Sequence, residues 1–169
     1  DGSAISVTVS DPQLELGAYP TQVIGGGMTR NKDQSHKIKL DDGNIRGSKI
    51  GLKFKSLSDT LAGTLLTMSD GGSNADSLHI QLAASAITAT SAATGGSAGS
   101  VASATNVADA RLHSVEVSAV TNALRVTVDG VSTLPDASST MPAGLDELEL
   151  HEPDDSQQAG CIIRDVVLS

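Results

Sequence analysis

Apolar and polar residues alternate with a period of two along most of this chain, the pattern of half-buried strands. Ile5-Val7-Val9 alternates cleanly until Asp11-Pro12 stops it. Leu14-Leu16 is shorter and is closed by Gly17 and Pro20, and Gly25-Gly26-Gly27 reads as a flexible joint. His36–Leu40 ends at Asp41-Asp42-Gly43, and Ile50-Leu52-Phe54 puts Lys49, Lys53 and Lys55 on its opposite face. Gly63–Met68 runs into Asp70-Gly71-Gly72; Leu78-Ile80-Leu82 and Ile87–Thr90 follow. The clearest stretch is Leu112–Gly130. There Leu112-Val115-Val117 and Leu124-Val126-Val128 flank a turn at Thr121-Asn122, and Asp129-Gly130 is a hairpin-turn dipeptide. Leu148-Leu150 and Ile162–Leu168 complete the series.

No segment keeps a helical period with caps, although Val107–Arg111 is long enough for a single helical turn. The Ala/Ser/Thr/Gly-rich tract Ala83–Ala110 reads as thin strands and a loop, with small side chains suited to close packing against a partner. Period-two strands with frequent turns predict an all-β fold, a sandwich or a barrel of antiparallel strands. The chain fits a single domain over 1–169, with N-terminal strands and a basic segment in 1–49 and the main core in 50–169.

Composition changes the picture of the core. There is no Trp, one Phe (Phe54) and one Tyr (Tyr19), so Val, Ile, Leu and Ala must fill it. Each such side chain contributes roughly 1.5–3 kcal/mol when fully buried, so many small terms replace a few aromatic ones. The net charge is −9 and is unevenly spread: Arg30–Lys55 holds eight basic and three acidic residues. An acidic chain is repelled by phosphate backbones, which excludes nucleic acid as a partner. The basic residues are expected to form solvated strand faces, with Lys37 and Lys39, or Lys53 and Lys55, pointing outward together. No run is long and apolar enough to insert in a membrane. The chain starts at Asp1 with no leader pattern, as expected of a processed product or a fragment. Cys161 is alone in the apolar run Cys161-Ile162-Ile163, as befits a small buried hydrophobe.

Five stretches from the second half, in order, carry a family resemblance. They are Gly63-Thr64-Leu65-Leu66 before Ser69-Asp70-Gly71, and Leu112-His113-Ser114-Val115-Glu116-Val117. Ala123–Gly130, ending Val128-Asp129-Gly130, comes next, then Met141-Pro142-Ala143-Gly144-Leu145 through Leu150, and finally Ile162–Leu168. Together they resemble the laminin G-like module of the concanavalin A-like lectin/glucanase superfamily, in the form found in bacteriophage structural proteins. Leu112 stands where that pattern usually has Trp. The resemblance spans Ile50 to Ser169 and implies a jelly-roll sandwich of two antiparallel sheets. It implies no single function, because the fold hosts lectins, glycosidases, adhesion modules and virion parts.

Candidate chemistry is sparse. Glycosidases of the resembled superfamily carry an acidic strand similar to Glu147-Leu148-Glu149-Leu150-His151-Glu152. Alternation would put Glu147, Glu149 and His151 on one face and Leu148 and Leu150 in the core. Side chains two apart lie about 6.5–7 Å from each other, a workable separation for paired carboxylates. Yet the chain lacks the aromatic platforms of a sugar-cleaving cleft, and a solvent-facing acidic strand is the expectation. His36, His79, His113 and His151 show no metal-ligand spacing. Asp70 with Asp76, and Asp154 with Asp155, could offer calcium ligands in loops but match no compact calcium motif, and read as turn residues. No catalytic residue, metal or cofactor site is assigned.

These readings converge on a non-enzymatic structural or attachment protein of a larger assembly. A bacteriophage virion leads, with capsid decoration, fibre or tail-fibre module as the role and the virion surface as location. The expected partners are further copies of itself, a trimer suiting a fibre or decoration site, and a capsid or tail protein, with surface glycans as ligands. The alternatives are an extracellular glycan-binding adhesin, or a divergent glycosidase using Glu147, Glu149 and Glu152.

Overall fold

The computed structural model describes residues 36–39, 49–56, 62–70, 75–150 and 161–168, all within the unit Ser35–Ser169. The strand candidates at Ile5–Val9 and Leu14–Leu16, the joint at Gly25–Gly27, and His151, Glu152, Asp154 and Asp155 lie outside the described residues.

Among the described residues eleven strands form two sheets, and every pairing between them is antiparallel. They are β1 (His36–Lys39), β2 (Lys49–Ser56), β3 (Gly63–Ser69), β4 (Ser77–Ala83), β5 (Ala86–Ala92), β6 (Gly99–Ala102), β7 (Leu112–Ser118), β8 (Arg125–Val128), β9 (Val131–Ser132), β10 (Glu147–Leu150) and β11 (Cys161–Leu168). One sheet has the order β1-β10-β3-β4-β5-β6 and the other β11-β2-β7-β8-β9. This is the two-sheet jelly-roll sandwich. β1, from the basic segment, pairs with β10, so the six-stranded sheet draws on both ends of the unit.

The period-two residues meet between the sheets. Ile50, Leu52 and Phe54 of β2 face Val115 and Val117 of β7 and Val126 and Val128 of β8 on one side. Leu66 and Met68 of β3, Leu78, Ile80 and Leu82 of β4, and Leu148 of β10 close it from the other. Phe54 is the single aromatic ring in a core otherwise built from aliphatic side chains and Met. The outward face of β2 carries Lys49 and Lys53, ion-paired with Glu116 and Asp165, each at 3.0 Å.

Turn chemistry sets the register. Asp129 and Gly130 have φ of 50° and 82°, the paired positive values of a type I′ hairpin turn, so β8 leads directly into β9. Asn122 takes φ 59° in the turn before β8, and its N–H donates to the Ser139 carbonyl at 2.7 Å. The small-residue tract becomes β5, β6 and their loops. Gly99 is required there: a Cβ at this position would lie 2.4 Å from the Ser139 Cβ. Val107–Arg111 is not a helical turn. Asn106 and Asp109 each accept a backbone N–H two residues on, from Ala108 and Arg111, and these local bonds compete with helix formation.

Candidate functional site

The acidic strand is a strand, but not the solvent-facing one expected. In β10 Leu148 enters the core and Leu150 packs against it, as alternation requires. Glu149, however, is only 1% exposed, and Glu147 is half-buried. β10 is an interior strand, paired with β1 on one side and β3 on the other. Register sets Glu149 across from Lys37 and from Thr67, and Thr67 across from His79. A polar row thus crosses this sheet. Thr67 Oγ1 is hydrogen-bonded to His79 Nδ1 at 3.2 Å, and His79 Nε2 to Ser77 Oγ at 2.9 Å. Burial lowers the pKa of His79, which favours the neutral ring between two hydroxyls. Glu147 and Glu149 do not stand open on a cleft, as a glycosidase pair must.

A second histidine sits in a stronger arrangement. His113, on β7, is 5% exposed and lies against Phe54, with ring centroids 5.8 Å apart. Its Nδ1 is 2.7 Å from Asp129 Oδ2 and its Nε2 is 2.7 Å from Asp109 Oδ1. Carboxylates only accept, so both ring nitrogens must donate, and the ring is held as imidazolium. Burial pulls its pKa down, but the hydrogen bonds to Asp129 and Asp109 outweigh that and raise it. Both aspartates are held below the usual carboxylate range, chiefly by the same bonds. Asp129 Oδ1 also accepts the Ser114 N–H at 2.8 Å. The clamp joins the loop before β7, β7 itself and the β8–β9 turn. Both nitrogens are engaged, so the ring ties these three segments together.

The loop carboxylates have local work. Asp76 accepts the Thr94 N–H at 2.7 Å and the Thr94 hydroxyl at 2.9 Å, tying the approach to β4 to the end of β5. Asp70 is exposed at the end of β3. Among the described residues no three His, Cys, Asp or Glu side chains are grouped to hold a metal ion. Cys161 is half-buried, and burial pushes its thiol pKa up to about 12, which leaves it unreactive.

The concave feature of the surface lies elsewhere. A groove of about 480 Å³ runs between β6 and the segment Val131–Asp136. Its walls include Ala102, Ala104, Val131, Leu134 and Pro135, with Asp136 beside them. Leu134 is 88% exposed and Val131 59% exposed, side by side on this wall. Asp136 braces the groove: Oδ2 accepts the Ser100 N–H at 3.1 Å, and Oδ1 accepts the Ser138 N–H at 2.8 Å. β6 is four strands from β10, roughly 19 Å across the sheet at the usual 4.7–4.9 Å spacing, so Glu147 and Glu149 do not line this groove.

Neither the clamp nor the groove was singled out in the sequence. A signal for the clamp existed: Asp109 precedes His113 by four residues, and pairing β7 with β8 back from the Asp129-Gly130 turn brings Asp129 beside the same strand. For the groove the hint was Val131-Ser132-Thr133-Leu134-Pro135, apolar residues just after a hairpin turn with no later strand to pack on.

Residues 54–157 match the sequence profile of the Laminin G domain. No curated protein matches the chain in sequence. Among solved structures, domains LG4-5 of the mouse laminin alpha1 chain superpose with a TM-score of 0.67 at 14% identity, covering 81% of this chain and 39% of that one. Galectin LEC-6 of Caenorhabditis elegans superposes with a TM-score of 0.52 at 16% identity, over 82% of this chain and 93% of the galectin. The binding domain of botulinum neurotoxin DC in complex with SialylT gives 0.59 at 9% identity, over 78% of this chain and 34% of that one. The chain therefore spans about two fifths of the laminin structure, and these likenesses concern the fold.

Proposed function

The chain belongs to the laminin G domain family, and we propose that it is a non-catalytic attachment module, carried on the outside of a larger assembly and binding surface glycans. The assembly that best suits it is a bacteriophage virion, as capsid decoration or tail-fibre module. The carrying observation is the state of β10. Glu149 is buried between two paired strands and Glu147 is half-buried, so the acidic pair has no cleft in which to flank a sugar bond. The same fold in a galectin and in a toxin binding domain supports sugar recognition without cleavage. Among the described residues no helix is long and apolar enough to cross a membrane. The proposed location is the virion surface, or otherwise the extracellular space.

The unit Ser35–Ser169 is repeated about a symmetry axis in its assembly, a trimer suiting a fibre or decoration site. The basic segment Arg30–Lys55 of one copy meets the acidic remainder of the next, and this sets register more than affinity. The test is retention of the labelled full chain on an array of bacterial surface glycans, with product release assayed on the same spots and the native particle imaged in parallel. Retention without release is the expected result. Release of sugar that Glu147→Gln abolishes would establish a glycosidase instead, because that change removes a carboxylate and keeps the shape.

A further inference from the structure

The four edge strands of the two sheets are not protected alike. β1 carries Lys37 and Lys39, and Lys39 is 3.7 Å from Asp146. β11 is broken by a bulge between Arg164 and Val167, where Asp165 takes φ 50° and pairs with Lys53 at 3.0 Å. Lysines and bulges are the devices that stop a foreign strand from adding to a sheet. β6, Gly99–Ala102, and β9, Val131–Ser132, carry no charge, no proline and no bulge. Both unguarded edges border the same groove.

The backbone of β6 shows what could enter it. In an antiparallel strand, successive residues aim their N–H and C=O groups to alternate sides. Ser103 donates its N–H to the Ile87 carbonyl at 2.8 Å, towards β5. Within β6, Ser100 and Ala102 therefore aim theirs away from β5. Ser100 N–H is taken by Asp136, and Ala102 faces the groove at an edge that no described strand covers, with Ala104 lining the groove just beyond it. Beside them lie exposed Val131, Leu134 and Pro135. Main-chain donors and acceptors at strand spacing next to an apolar wall are the recognition surface for an extended polypeptide.

Charge decides which polypeptide. Asp136 is the one charged side chain among the groove-lining residues, and the whole chain is at −9. A second copy would bring the same carboxylate and another −9 to the contact. We infer that the groove takes an extended segment of a partner protein, alternating basic and apolar residues, which adds as a strand to the outer edge of β6 at Ser100–Ala102 and lays apolar side chains on Val131 and Leu134. This rests on the reading of the chain as an attachment module, and it names how the module is held by its assembly.

The test uses the full chain, isotope-labelled for amide NMR, titrated with a capped peptide of alternating lysine and valine and with its glutamate–valine counterpart. The lysine peptide is expected to bind saturably and to shift the amide signals of Ala102, Ala104 and residues 131–134. Ala102→Pro should weaken binding about tenfold or more while the fold persists, since proline is tolerated where an edge N–H faces outward. Leu134→Ser, at an exposed position, should weaken it as well. Equal binding to Ala102→Pro, equal binding of the glutamate peptide, or shifts at these residues from self-association without peptide would overturn the inference. Ala102→Pro is also placed on the glycan array. Retention there together with lost peptide binding is the expected outcome, and this keeps failure of the strand-addition inference apart from failure of the attachment reading.

Discussion

At the scale of single residues, the buried ring of His113, hydrogen-bonded at 2.7 Å to both Asp109 and Asp129, gives the stability a definite pH dependence. Its folded pKa is raised, so its contribution is fully present below the unfolded value of about 6.5 and is lost as pH rises through the folded value. The two aspartates have lowered folded values, so their share is present above the ordinary carboxylate range and is lost as pH falls through the folded values. The clamp is therefore worth most in mildly acidic solution. His79 acts with the opposite sign: its folded pKa is lowered, so its contribution is present above about 6.5 and fades as pH falls. A wild-type melting curve mixes the two effects, and a difference separates them. His113→Gln should lower Tm, at a cost of about 1.5–3 kcal/mol for a buried charge-assisted hydrogen bond. The deficit should be largest near pH 5 and shrink steadily into the alkaline range. A deficit constant across pH would mean that His113 contributes by packing on Phe54 alone.

At the scale of elements, glycines test the two turns and contacts that place the strands. Gly130 sits at φ 82° with open space around it, so Gly130→Ala should cost only the left-handed strain, about 1–2 kcal/mol, with no repacking. Gly99 is the reverse case, with ordinary backbone but a Cβ position already filled by Ser139 and Ser91. Gly99→Ala should cost more than Gly130→Ala, because β6 must move off β5 and the Ser139 loop. Denaturant midpoints of the two variants give the order directly. These positions also show what could be read in the sequence. The β7–β8 hairpin and the turn that follows it were legible because alternation and Asp129-Gly130 agree, whereas the two-residue β9 is too short to leave a pattern. The acidic strand was legible as a strand but not as an interior one. Alternation assigns Leu148 and Glu149 to opposite faces, yet it says nothing of which strands flank β10 or how deeply its outer face lies. Nor could it reveal the clamp, which needs residues from a loop, a strand and a turn brought together. The groove was hidden for a related reason: an unguarded edge exists only once the strand order is known.

For the whole molecule, an acidic surface and two unguarded edges act against each other. At neutral pH the charge of −9 opposes contact between copies at the β6–β9 flank, where Asp136 is the charged side chain and no basic segment answers it. The calculated isoelectric point is about 4.6, and as pH approaches it that repulsion disappears while the exposed Val131 and Leu134 and the free edge remain. Association through the β6–β9 flank is then the expected path, because β1 and β11 stay guarded by lysines and by the bulge at Asp165. Light scattering of the full chain should rise steeply near pH 4.6 and fall again on return to neutrality. Ala102→Pro removes an edge donor, and Leu134→Ser removes the apolar wall; each should suppress the rise without moving the isoelectric point, since neither alters charge. Suppression by both would tie self-association to the flank that is read as the partner site. Equal scattering from wild type and both variants would place the association elsewhere on the surface and leave the low-charge edges without a role in it.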